Sequence, residues 1–149
     1  MPKQLPLDTL SELARERAEE ATRRLGVLNT ALLNARQQLD MLADYRHDYL
    51  ARLQQAMCSG MSASDCQNYQ RFIGTLDDAM AQQRHVVAQS EAELEAGRID
   101  WQQAKRKQNS FEALTARAQR ARDAVEQRRE QRGNDEFAAR MLTRSPVFG

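Results

Sequence analysis

Met57-Cys58-Ser59-Gly60-Met61-Ser62-Ala63-Ser64-Asp65 is the short polar turn that decides the fold. Before it, Leu39, Leu42, Tyr49, Leu53 and Ala56 recur at coiled-coil spacing; after it, Tyr69, Ile73, Leu76 and Met80 do the same. Two helical runs joined by so short a connection fold back as antiparallel neighbours. Residues 38–83 therefore predict a helical hairpin with its tip near residue 61. Ser64 followed by Gln67 reads as a capping box that starts the returning helix.

The register extends outward from the turn. Towards the N-terminus it holds through Leu7, Ser11, Ala14, Ala18, Ala21, Leu25, Leu28, Leu32 and Ala35; with Arg46 filling the position between Leu42 and Tyr49, only Ser11 and Arg46 are polar up to the turn. Towards the C-terminus it continues with Val87, Leu94, Trp101, Ala104, Phe111, Ala118 and Val125, interrupted by Gln83, Ser90, Gly97, Gln108 and Thr115. Antiparallel pairing sets Trp101 against residues 18–21 and Phe111 against residues 11–14, so large side chains face small ones. Pro6 stands at the entrance of the first helix, with Thr9 and Glu12 as a second capping box.

The first helix runs out of residues when the second reaches Thr115. Residues 115–140 are therefore expected to overhang, carrying Arg117, Arg120, Arg122, Arg128, Arg129 and Arg132 against Asp123, Glu126 and Glu130. Gly133-Asn134 is expected to break the helix, and Ser145-Pro146 to end the order. The predicted class is all-α, a long two-helix antiparallel coiled-coil hairpin with an overhanging C-terminal helix. Its expected layout is a first helix over 7–58, a turn over 59–64, a second helix over 65–132 and a partly ordered tail over 133–149.

Composition agrees. The 149 residues are 29% charged and only 5% aromatic, and mean hydropathy is −0.77, a balance that suits long helices. The net charge of +1 gives the whole chain no general attraction to nucleic acid or acidic membranes. No apolar run has spanning length and no signal pattern is present, so the expectation is a soluble cytoplasmic chain that meets membranes through partners. Cys58 and Cys66 flank the turn. Reduced thiols are expected in that compartment, with a clamp at the tip as the alternative.

Catalysis has little support. His47 and His85 stand isolated on charged stretches, and no Cys/His spacing fits a metal site. Neither an enzyme nor a metal or cofactor is expected. Binding is better served. Heptad geometry places Gln38, Leu42, Tyr45, Tyr49, Phe72, Leu76, Ala79 and Gln83 along one edge of the hairpin. Tyr45 and Phe72 exceed what a two-helix seam needs, and aromatics grouped at an edge suit a protein partner. The bland alternative is that they widen the seam at its tip. The arginine-rich overhang suits an acidic protein partner or a solvated tail. Its carboxylates and lack of interleaved aromatics disfavour nucleic acid.

The tip motifs Leu39-Asp40-Met41-Leu42-Ala43-Asp44-Tyr45-Arg46-His47-Asp48-Tyr49 and Asn68-Tyr69-Gln70-Arg71-Phe72-Ile73-Gly74-Thr75-Leu76 carry a resemblance. With Trp101, Lys105-Arg106-Lys107 and Asp135-Glu136-Phe137-Ala138, the chain resembles the FliJ family, a small coiled-coil component of the bacterial flagellar type III export apparatus. The resemblance implies a hairpin similar to the gamma stalk of rotary ATPases. It also implies that the arm end enters the hexameric export ATPase FliI, through Arg117, Arg120, Arg122, Arg128 and Arg129. The tip is implied to contact the membrane export gate protein FlhA, through Gln38, Leu42, Tyr45, Tyr49, Phe72, Leu76 and Ala79. Gln83 stands where the family pattern can have a histidine, keeping polarity but no titratable charge. The ATPase regulator FliH and the export chaperones are further implied partners, with a location at the cytoplasmic face of the inner membrane beside the flagellar basal body. The alternatives are an escort that binds only other export chaperones, and the equivalent stalk of a virulence secretion system.

Overall fold

The structure, a computed structural model, describes residues 6–144. It is all-α: α1 spans Leu7–Ser59 and α2 spans Ala63–Arg144, two long helices packed against each other as a hairpin. The chain divides into two compact units, one of residues 18–103 and one formed by residues before 18 and after 103. Each is best described by itself.

Residues 18–103 contain the turn. Gly60 has φ of 83°, a left-handed backbone that glycine adopts without the usual steric penalty. Its amide donates to the Met57 carbonyl at 3.3 Å, which closes the end of α1. Only Gly60, Met61 and Ser62 separate the helices. The expected capping box at Ser64 and Gln67 is displaced by two residues. Ser62 is the cap, its Oγ accepting the Asp65 amide at 3.1 Å, while Ser64 already lies inside the helix. A three-residue connection leaves the earlier serine nearest to the free amides of the first turn, and a short hydroxyl caps best from there. Cys58 is exposed and Cys66 half-buried, both as free thiols.

The seam of this unit follows the heptad reading. Ala18, Leu32, Ala35 and Leu53 of α1 and Ile73, Leu76, Met80 and Leu94 of α2 are buried. Gly97 is buried as well, and a Cβ there would stand 2.6 Å from Leu28 Cδ1. The glycine that interrupts the apolar pattern thus admits a leucine from the facing helix. Trp101 lies where pairing sets it, its Nε1 donating to Thr22 Oγ1 at 2.9 Å. Polar seam positions find partners too. Arg46 Nε donates to Asp77 Oδ1 at 2.6 Å, and Gln83 Nε2 donates to the Ala35 carbonyl at 2.9 Å.

In the other unit, Leu7, Leu10 and Ser11 are half-buried and Ala14 is buried; Ala104, Gln108, Phe111, Thr115 and Ala118 supply the α2 side. Pro6 does stand at the entrance of α1, its carbonyl accepting the Leu10 amide at 3.1 Å. Thr9 and Glu12 lie within the helix and do not form its cap, because Pro6 already fixes the helical φ one turn earlier. Burial on α2 persists as far as Ala118, and every residue from 119 to 144 is exposed. The exposed length therefore begins at residue 119, not at Thr115, and Val125 is not covered. The expected break at Gly133-Asn134 does not occur, since α2 runs on to Arg144. One interior glycine costs a helix about 1 kcal/mol, which its Arg, Glu, Gln and Ala neighbours readily offset. The expected end of order at Ser145-Pro146 lies outside the described residues.

Candidate protein-interaction site

In the turn-containing unit the two edges of the helix pair differ in chemistry. On one edge Arg36 Nη2 meets Glu91 Oε1 at 3.2 Å and Arg46 reaches Asp77. Exposed pairs of this kind contribute about 0–1 kcal/mol each, so they fix register more than they add stability.

The opposite edge is apolar. Tyr45 is 53% exposed and Phe72 40%, far from the burial that a seam residue reaches. Phe72 is steadied by Tyr49, with ring centroids 4.3 Å apart and planes tilted by 33°; the Tyr69 ring lies 6.1 Å from that of Tyr49. Arg52 places its guanidinium 5.5 Å from the Tyr49 ring centroid. The contact holds Phe72 in a defined orientation while much of its surface stays open to solvent. Tyr45, by contrast, makes none of these ring contacts among the described residues.

Gln38, Leu42, Tyr45 and Gln83 converge on a shallow open groove of about 260 Å³ whose remaining wall is Met41. Met41 is half exposed and was absent from the edge read in the sequence. It lies at an outward heptad position, where only an unexplained apolar residue among aspartates marks it. Two expected edge residues change character. Leu76 is buried, so it is the floor beneath the aromatics and offers no surface. Gln83 commits its amide to the Ala35 carbonyl, leaving its oxygen as the group open to a partner. Tyr49, Leu42 and Ala79 are half-buried and Gln38 is exposed.

The expected arm residues Arg117, Arg120, Arg122, Arg128 and Arg129 are all exposed. None takes part in an ion pair among the described residues. Gln119 bonds along the helix to Asp123 Oδ1 at 3.0 Å, so the neighbouring carboxylate is engaged by an amide and not by an arginine. Among the described residues no group of three or more His, Cys, Asp or Glu has the geometry of a metal site. No helix there is long and apolar enough to cross a membrane.

Comparison with known proteins decides the family. The profile of the flagellar FliJ protein family matches residues 2–146. The chain belongs to that family. It is 34% identical to the flagellar FliJ protein of Escherichia coli (strain K12) over 140 residues, covering 94% of this chain and 95% of the relative. It is 33% identical to that of Salmonella typhi over the same shares of each chain. Among solved structures it is similar to a chain described as a YscO homolog from Chlamydia trachomatis, at 13% identity and a TM-score of 0.47, covering 92% of this chain and 89% of the other. Membership of the FliJ family makes the protein a component of flagellar type III export, with the helical coiled-coil build that the register predicts.

Proposed function

We propose that the protein is a non-enzymatic stalk and coupling factor of flagellar export. It binds and stimulates the hexameric export ATPase through the exposed end of α2, and it meets the export gate through the aromatic edge near the turn. The observation that carries this reading is a helix exposed at every residue from 119 to 144, rich in unpaired arginine. A long helix that is polar all round gains little stability from its own chain. Burial inside an acidic ring would complete its packing and neutralise its charge. Contacts with FliH and export chaperones, and a peripheral position at the cytoplasmic face of the inner membrane, belong to the same proposal.

The test is ATP hydrolysis by the cognate export ATPase, titrated with the full chain. Saturable stimulation is the expected result. No effect on an ATPase shown to form rings would overturn the stalk reading and favour the chaperone escort. For the tip, Tyr45→Ala with Phe72→Ala should weaken gate binding by more than about tenfold while leaving helicity nearly intact. A large loss of helicity would instead assign the two aromatics to packing.

A further inference from the structure

The apolar edge beside the turn has a net acidic margin on one side only. Asp40, Asp44 and Asp48 step by four residues along the exposed back of α1. Asp44 lies three residues beyond Met41 and Asp48 three beyond Tyr45, which makes each aspartate the helical neighbour of an exposed apolar side chain. On the α2 side the corresponding margin carries Arg71 and Asp78, of opposite sign, beside Thr75 and Gln82, and so has no net charge.

Like charges four apart on a helix repel, and nothing among the described residues relieves this row. None of the three aspartates is in an ion pair. The three arginines within four residues of the row are engaged elsewhere, Arg36 by Glu91 and Arg46 by Asp77 on the other edge, and Arg52 over the Tyr49 ring. The edge thus presents an apolar stripe with an unneutralised acidic margin along α1.

From this complementarity we infer that the occupant of the stripe is an amphipathic helix of the partner, with basic residues along the flank that lies over α1. Its apolar face packs on Met41, Tyr45 and Phe72 as a third helix, the way helices seat in apolar grooves. Its Lys or Arg side chains meet Asp44 and Asp48. An asymmetric margin also sets direction, because a helix laid in the reverse sense carries its cations over the α2 side, where Arg71 offsets Asp78 and no net negative charge is offered. The inference rests on the gate-binding reading of this edge and names the chemistry by which the gate would be recognised.

The test uses the full chain and two probes. The first is a synthetic amphipathic helical peptide with a lysine flank, compared with the same peptide carrying glutamate there. The lysine peptide should bind at least about tenfold tighter. Asp44→Asn with Asp48→Asn should weaken it about fivefold and flatten its salt dependence, and Tyr45→Ala should weaken it more than about tenfold. Equal binding of the two peptides, or binding that survives Tyr45→Ala, would overturn the inference. So would sedimentation showing that Tyr45→Ala dissolves a dimer of this chain, which would make the occupant a second copy. The second probe is the cytoplasmic domain of the export gate. Gate binding lost in Tyr45→Ala but indifferent to the aspartates and to salt would overturn the basic helix and leave the gate reading intact. The expected peptide pattern without any gate binding would do the reverse.

Discussion

Gly97 and Gly74 share a residue type and a helix, yet their surroundings oppose each other. Nothing lies within 4 Å of a Cβ built at Gly74, whereas one at Gly97 meets Leu28 Cδ1 at 2.6 Å and Leu25 Cδ1 at 3.7 Å. Gly74→Ala should therefore stabilise the protein by roughly 0.5–1 kcal/mol through helix propensity alone. Gly97→Leu should destabilise it by about 1–3 kcal/mol, as overpacking of the seam forces leucines off their rotamers. Thermal unfolding followed by circular dichroism checks both, and a stabilising Gly97→Leu would refute the close approach. The sequence marks Gly97 as a gap in the apolar pattern, but only the structure shows which leucines fill it. Arg46 and Gln83 teach the same lesson. Each is legible as a polar seam position, while its partner, Asp77 or the Ala35 carbonyl, depends on a register known to within one residue.

The helices themselves were largely legible, because a period sustained over many heptads averages out local exceptions. Their ends were not. Ser62 caps α2 where Ser64 was expected, and two serines so close give equal local signals until the length of the turn chooses between them. Ser62→Ala should cost about 1 kcal/mol, and Ser64→Ala much less; denaturant midpoints of the two variants compare them directly. Gly133-Asn134 failed as a stop for a related reason. Glycine stops a helix most readily from the left-handed region, and among the described residues only Gly60 shows positive φ. At the edge, Tyr45 and Phe72 were found by counting apolar residues beyond the seam, whereas Met41 escaped because it lies one heptad position farther out.

For the whole molecule the two compact units suggest separable tasks. Truncation after Gln119 removes a described stretch, residues 120–144, that is exposed at every position, so the seam should survive and gate binding should persist. Stimulation of the export ATPase should be lost. Retained stimulation by the truncated chain would remove the arginine-rich helix from the proposed mechanism.

The brevity of the turn at Gly60 also bears on how the chain acquires its structure. Arg46 and Asp77 are 31 residues apart in sequence, whereas Trp101 and Thr22 are 79 apart. Closing the longer loop from an open chain costs on the order of 0.8 kcal/mol more entropy, but once the shorter one is shut the next contact is adjacent. The pair should zip from Gly60 outward, with later contacts each inheriting the order already won. Hydrogen exchange read along both helices should then show protection greatest near Ile73 and Leu53 and fading with distance from the turn, so the same loop that reverses the chain also schedules it.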